Sequence, residues 1–413
     1  MKLKKSDLVE SIFESNANTF IPDLFQRSLN EEHDRNLLIQ ADYIHPFGKD
    51  GKIELGTRNT FRRIETNYIV EELNENDVWF SLPNFTNHFN YNENIYAVYG
   101  IVSNKVNRFS YQMGLRIELT DLITELLETN KRYEKNYLNL FPSTHITYDL
   151  KKQSSLQASY SRRLNRPRFM SLNPFFNISD ARNIRSGNLD LNPEYTNSYE
   201  IGYLKNWENS SVYYGTYYRQ TEDVIQQVST LENDGITYTR PQNLSSGDAY
   251  GIEANISKDI APWWKLNLNG NFYRAITHGN AFGEALSSDT YSMTSRLSSR
   301  ITLLKQINIQ LNTNYRAPEE TPQGRRKSMY SLDLAMNKDV LKGKGTITLS
   351  VSDLFNSRLM RFETFGSNFY SDSEFQWRAR QFMFTFAYRL NQKKQNQREK
   401  RGDGDGGGED MDF

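Results

Sequence analysis

From about residue 36 onward, apolar and polar residues alternate along most of the chain. In RFSYQMGLRIELT, Phe109, Tyr111, Met113, Leu115, Ile117 and Leu119 share one face, opposite Ser110, Gln112, Gly114, Arg116, Glu118 and Thr120. WKLNLNGNFY sets Trp264, Leu266, Leu268 and Phe272 against Lys265, Asn267, Asn269 and Asn271. INIQLNTNYR does the same with Ile307, Ile309, Leu311 and Tyr315 against Asn308, Gln310, Asn312 and Asn314. A period of two marks a strand whose faces meet different surroundings. Soluble sandwiches alternate in the same way, so this pattern alone does not identify the medium.

The connections separate the alternatives. Short ones are expected at 48–51, 105–107, 151–153, 206–210, 259–263, 304–306 and 341–345, and long ones at 73–90, 121–137, 166–195, 230–246, 279–288, 317–327 and 357–374. This order puts tight turns at one end of the sheet and large loops at the other, as in outer-membrane barrels with short periplasmic turns. We therefore expect an all-β fold, an antiparallel transmembrane β-barrel with about 15 strands present of roughly 22, because single-chain bacterial barrels have even strand numbers and large ones carry a plugged lumen. Residues 1–35 would form a partial N-terminal segment, an extracellular loop of an incomplete barrel; 36–390 would form the barrel. Residues 391–413, a basic block followed by a Gly/Asp run, read as a disordered periplasmic tail.

Composition sharpens this picture. The 413 residues include 25 Tyr and 24 Phe, yet only 37% are apolar and mean hydropathy is −0.73. That mixture suits a wall between lipid and water better than a soluble core. No run of about 18 apolar residues occurs, so membrane-spanning helices are not expected. Fifty basic and fifty acidic residues cancel, which gives no field directed at nucleic acid. The absence of cysteine excludes disulfides and thiolate metal sites. MKLKKSDLVESIFESN begins like a signal peptide, but Asp7, Glu10 and Glu14 interrupt the apolar stretch. An export signal is therefore expected upstream.

Several segments resemble the outer-membrane β-barrel family related to TonB-dependent receptors. They are FNYNENIYAVYG, FSYQMGLRIELTD, NLFPSTHITYDL, YSRRLNRPRFMSLNPF, SGNLDLNPEYTNSYEIGY, DAYGIEANISKD and VSDLFN, and the Arg-Pro to Pro-Glu stretch is the most specific. The resemblance implies the C-terminal barrel portion of a receptor whose plug is missing here, in the outer membrane of a Gram-negative bacterium. It further implies energy-dependent nutrient uptake. The partners it implies are outer-membrane lipid and the TonB energising complex, reached through the missing plug, with a surface lipoprotein as a further candidate. The alternative is a non-transport surface barrel that displays loops for adhesion or assembly with partner proteins.

Candidate chemistry is sparse. His33, His45, His88, His145 and His278 lack paired ligand spacing, DGDGGGED lacks the spaced ligands of a calcium loop, and no nucleophile elbow occurs. No enzyme activity, metal or cofactor is expected. Arg166, Arg168, Arg182 and Arg185, in the third long loop, are candidate contacts for an anionic ligand, with pairing to outer-leaflet lipopolysaccharide phosphates, or to lumen carboxylates such as Glu118 and Glu200, as the competing reading. Arg58, Arg116, Glu118, Glu200, Asn267, Asn269, Gln310 and Asn312 should face the lumen. Trp207, Trp263 and Trp264, beside short turns, should form the periplasmic aromatic girdle.

Overall fold

The structure, a computed structural model, describes residues 2–16, 19–74, 76–83, 85–175, 183–232, 235–304 and 306–390. Sixteen wall strands follow one another in an antiparallel meander. They are β1 (Lys2–Asn16), β2 (Thr19–Phe47), β3 (Gly51–Leu73), β4 (Asn87–Val106), β5 (Phe109–Leu126), β6 (Lys131–Asp149), β7 (Ser154–Asn165) and β8 (Glu194–Trp207). The second half comprises β9 (Ser210–Leu231), β10 (Thr237–Ala261), β11 (Trp264–Ala281), β12 (Glu284–Leu303), β13 (Ile307–Arg316), β14 (Met329–Val340), β15 (Gly345–Ser352) and β16 (Gln381–Tyr388). Each pairs with its sequence neighbours.

Burial is inverted relative to a soluble protein. On β5 the apolar Met113, Leu115, Ile117 and Leu119 are exposed, at 46, 46, 37 and 41%, whereas Glu118 and Thr120 are buried. The ladder carries the inward face from Arg116 to Phe141 on β6 and to Tyr99 on β4, because directly paired residues share a face. An exposed apolar face around a polar interior is what a wall in hydrocarbon requires.

Above this band the faces exchange character. Further along β5, Leu122 and Leu126 point inward and are buried, while outward Glu125 pairs with Arg132 at 3.0 Å. The inverted wall thus becomes an ordinary water-facing sheet once it leaves the membrane. Several expected long loops are in fact continuations of the ladder. The segment 121–137 reduces to a turn at 127–130, 230–246 to a connection at 232–236, and 279–288 to the two residues 282–283. Tight turns therefore occur at both ends, contrary to the expected segregation. Their polar outward positions read as loop in the sequence, although the backbone stays paired.

The same holds at the N-terminus. Residues 19–35 continue β2 and pair with β1, so residue 36 marks no break in the ladder. Among the described residues the wall strands number sixteen, one more than expected. Residues 391–413, expected to be a disordered tail, lie outside the described residues.

Two groups of outward aromatic residues flank the exposed apolar face. Near the short turns stand Trp207 and Trp263, each 51% exposed, and Trp264, which stacks on Trp263 at 6.1 Å and donates Nε1–H to Ser299 Oγ at 2.9 Å. Along one ladder row Tyr160, Tyr199, Tyr218 and Tyr250 all point outward, and Arg274 and Tyr291 extend the row. Arg274 lies between Tyr250 and Tyr291 and pairs with Asp289 at 2.5 Å.

This assignment of faces predicts different tolerances. Leu115→Arg or Leu268→Arg should reduce folded protein in outer membranes, since a cation near mid-bilayer costs about 2–4 kcal/mol. Gln112→Lys and Asn269→Lys, on the lumen face, should assemble at near wild-type yield. Heat-modifiable migration of protein extracted from membranes reads out both, and equal losses would contradict the assignment.

Candidate functional site: an inturned loop over a charged lumen

The segment 166–193 joins β7 to β8, and its described parts, 166–175 and 183–193, fold against the inner face of the sheet. Its short helix, Phe169–Leu172, buries Phe169 and Leu172, and Leu189 and Leu191 return to the same place. These side chains join inward-facing Ile64, Phe89, Tyr91, Leu122 and Leu126 in one apolar cluster. Phe169 packs against Phe89 at 5.5 Å and edge-on to Tyr91 at 5.7 Å. Apolar residues on the inner face above the membrane thus meet apolar residues of the loop, and burying them stabilises by about 25 cal/mol per Å².

The family-like motif explains the loop's shape. Gly187 and Asn188 donate backbone N–H groups to the carbonyls of Asn173 and Ser171, each at 2.7 Å. A Cβ on Gly187 would lie 2.3 Å from the Asn173 carbonyl oxygen, so only glycine permits this approach. Asn188 Oδ1 accepts the Asp190 N–H at 2.9 Å, and its Nδ2 donates to the Pro241 carbonyl at 3.0 Å. Glu194, of the Pro-Glu pair, accepts Asn165 Nδ2 at 2.5 Å and the Ile225 N–H at 2.6 Å. It ties three strands where the loop ends. VSDLFN is also structural: buried Asp353 accepts the N–H groups of Ser357 and Arg358 at 3.0 and 2.9 Å, while Arg358 pairs with Asp333 at 2.8 Å.

Beneath the apolar lid lies a charged cluster. Arg166 enters the lumen and pairs with Glu118, donates to Thr120 Oγ1 at 3.1 Å, and approaches Glu93 at 3.8 Å. Arg116 holds the other Glu118 oxygen at 2.7 Å, and Arg62 pairs with Asp34 at 3.0 Å. Lys135 Nζ donates to the Leu191 carbonyl at 2.7 Å and so fixes the far end of the loop. Lys135 pairs with Leu122 and Tyr91 with Thr124, on the part of the ladder beyond the exposed apolar face where the two faces have exchanged character. Burial pushes the Lys135 ammonium pKa down despite Asp190, and burial with Glu93 pushes the Tyr91 hydroxyl well above its ordinary value.

The four candidate loop arginines do not form one cluster. Arg166 turns inward to the carboxylates, as the competing reading of its sequence context anticipated. Arg168 and Arg185 are exposed, Arg168 as the N-cap of the short helix and Arg185 in a three-residue strand paired with 237–239. Arg182 lies outside the described residues. Glu200 faces inward and pairs with Arg219 at 3.3 Å. Arg58 and Arg116 line a lumen recess of about 260 Å³ with Gln40, Tyr99, Phe141 and Ser143.

Asn267, Asn269, Gln310 and Asn312 share the inward face, where Asn269 donates to Asn255 and Arg296 donates to Asn314 at 2.9 Å. Sequence reasoning missed Glu93, Tyr91, Lys135 and Leu191 as members of the mouth. The inward parity of Ala97 extends along β4 to Glu93 and Tyr91 and could have placed those two. Among the described residues no group of His, Cys, Asp and Glu is arranged to hold a metal ion.

The profile of the Outer membrane protein beta-barrel family matches residues 2–388. The chain belongs to this family. The ferric yersiniabactin uptake receptor FyuA from Yersinia pestis superposes with a TM-score of 0.59 at 16% identity, covering 89% of this chain and 55% of that one. The ferripyoverdine receptor of the Pseudomonas aeruginosa outer membrane gives 0.60 at 14%, covering 94% and 52%. The copper transporter OprC gives 0.60 at 13%, covering 88% and 57%. At these identities the likeness is one of fold, and the chain spans about half the length of the receptors it matches. A search of curated proteins finds no match. The expected fold class, the resemblance to barrels related to TonB-dependent receptors, and the location in a Gram-negative outer membrane are borne out.

The Arg166 contacts predict a local effect on the loop. Breaking a dry buried ion pair costs roughly 3–5 kcal/mol, and Arg166, whose side chain remains 24% exposed, should lose less. Arg166→Met should accelerate hydrogen exchange at 186–191 without changing the 109–119 wall amides, and Arg166→Lys should restore part of the protection. Unchanged exchange in Arg166→Met would show that the pair does not hold the loop.

Proposed function

We propose that this chain forms the barrel of a TonB-dependent outer-membrane receptor and serves active uptake of a nutrient ligand. The reading rests on one observation above all: a polar, hydrogen-bonding inner face lies beneath an apolar patch that the chain's own loop folds inward to cover. A wall built only to anchor loops needs neither feature. Asn255, Asn267, Asn269, Asn312 and Asn314 present amides that can bond water or a second folded polypeptide equally well. In this reading the polypeptide is a plug encoded with the barrel, and the chain is the C-terminal portion of the complete receptor. Ligand would bind above segment 166–193. Transfer would require the loop and plug to rearrange, with energy delivered through TonB. The receptor and transporter functions named for the barrels of similar fold support this class without specifying the ligand.

A second reading, a surface barrel for assembly with protein partners, draws on a different feature. The loops after β13 and β15 form a four-stranded sheet of 319–321, 324–326, 360–365 and 370–375. Phe365, Tyr370, Phe375 and Trp377 are exposed there at 48, 59, 49 and 74%. A surface lipoprotein is one partner such a platform could receive.

Uptake separates the two. A strain lacking the complete protein and its complemented counterpart would be compared for accumulation of labelled ferric chelates, copper, oligosaccharides and peptides, with and without a protonophore. The expected result is accumulation of one class in the complemented strain that falls to the deletion level when the proton gradient is dissipated. Equal accumulation across the panel, together with loss of a surface complex in the deletion strain, would favour the platform.

A further inference from the structure

We propose that the strand Tyr370–Phe375 takes up an extended, basic segment of a partner protein at the cell surface, as a fifth strand of the small extracellular sheet. This deepens the surface-assembly reading by giving it a specific contact. Its test measures peptide binding alone, so it stands or falls separately from uptake.

The hydrogen bonding of the sheet identifies an open edge. Its strands lie in the order 319–321, 324–326, 360–365, 370–375. The first abuts the wall, where the Glu320 N–H donates to Thr290 Oγ1 of β12 at 3.1 Å. Beyond the last, no strand pairs among the described residues. The Gly366 N–H donates to the Phe369 carbonyl at 3.0 Å, which makes these two the bonded pair that closes the hairpin. Bonded and non-bonded pairs alternate from there, so residues 371, 373 and 375 bond to the 360–365 strand, while 370, 372 and 374 turn their N–H and C=O groups to the edge. The other side of 360–365 agrees: the Phe365 N–H donates to the Gln323 carbonyl at 2.8 Å, and the Lys327 N–H to the Arg361 carbonyl at 3.0 Å. The edge strand is six residues long and carries no proline, lysine or bulge to blunt it.

The side chains on that edge select the occupant. Asp372 lies directly opposite Glu363, and one ammonium, Lys327 Nζ, serves both, at 3.2 and 2.8 Å. Two carboxylates on one cation favour a second cation across the edge from Asp372. Glu374 pairs with Arg361 at 2.7 Å, yet it is exposed and has lone pairs for another donor. Tyr370, 5.4 Å from Phe365, offers an exposed ring at the third position. An antiparallel segment with two basic residues at alternate positions, followed at the next alternate position by an aromatic one, meets all three. The same charges disfavour a second copy of this chain. Two such edges paired antiparallel in full register would set Asp372 opposite Asp372, and a shift towards Glu374 would set Asp372 opposite Glu374; like charges directly opposite are destabilising. Main-chain bonds would thus supply the affinity and the alternate side chains the choice of partner.

The test uses the complete protein purified from outer membranes and a fluorescent peptide, Thr-Arg-Thr-Lys-Thr-Tyr-Thr, followed by anisotropy. Wild type is expected to bind it saturably. N-methylation of the peptide at Arg, Lys and Tyr, whose amides would face the edge, should abolish binding, whereas N-methylation at the threonines should leave it intact. Asp372→Asn should weaken binding about threefold, as loss of one cross-strand ion pair does. Asp372→Pro, which removes an N–H that points to the edge and none that bonds within the sheet, should abolish it. Glu320→Gln, in the same ladder row but on the wall side, should bind as wild type does. Hydrogen exchange at 360–365 checks that the small sheet is intact in every variant. Absence of binding to wild type, equal loss from the two N-methylation patterns, or equal weakening by Glu320→Gln and Asp372→Asn would overturn the proposal. A wild-type dimer that Asp372→Pro disperses would assign the edge to a second copy and overturn it as well.

Discussion

Hydrocarbon offers no hydrogen bonds, so every backbone N–H and C=O in the membrane must find its partner in an adjacent strand. Much of this structure follows from that requirement. It imposes the meander, because antiparallel neighbours joined by tight turns satisfy the backbone without a crossover. It frees the side chains to answer to their surroundings alone. Leu115 and Ile201 can be exposed outward while Glu118 is buried inward, because neither side chain is needed to pair the backbone.

The exchange of faces above the aromatic row follows from the same division of labour. Pairing continues beyond the membrane, but the outer medium becomes water, so Glu125 and Arg132 replace leucines outside and Leu122 and Leu126 replace polar groups inside. The inner face of β3–β5 consequently carries an apolar patch there. Such a patch open to water is unfavourable, and Phe169, Leu172, Leu189 and Leu191 remove it from water by folding inward. The wall and its closure are thus linked: the side chains that make the extension stable outside the membrane also provide the surface on which the loop rests.

The membrane-level wall was legible because its two faces meet media that differ everywhere, and strict alternation records the difference. Arg116, Glu118, Asn269 and Gln310 could be placed inward from parity alone. Parity above the girdle was equally strict, but its meaning reversed, and charged outward positions such as Glu125, Arg132 and Glu134 imitated a loop. The inturned segment was not legible as a closure. Its Asn, Pro and Gly residues do mark irregular backbone, but direction depends on contacts between Phe169 or Leu191 and strands more than forty residues away in sequence. The arginine cluster failed as a grouping for a related reason: one-dimensional proximity joined Arg166 to Arg168, whereas the fold sends Arg166 to Glu118 and leaves Arg168 exposed.

The loop is held by two kinds of contact with different physical roles. Apolar burial around Phe169, Leu172 and Leu191 supplies non-directional attraction and would tolerate small displacements of the segment. The Arg166 guanidinium is directional, since its planar fork must meet Glu118, Thr120 and Glu93 together. A buried ion pair adds little net stability compared with an apolar replacement, yet removing either partner strands the other. At this mouth its contribution is therefore position rather than strength: it fixes where the chain enters the lumen, while Lys135 fixes where the chain leaves at Leu191. With both ends set, Phe169, Leu172, Leu189 and Leu191 are covered together against the inner face of the sheet, while Met170 on the same short helix stays exposed.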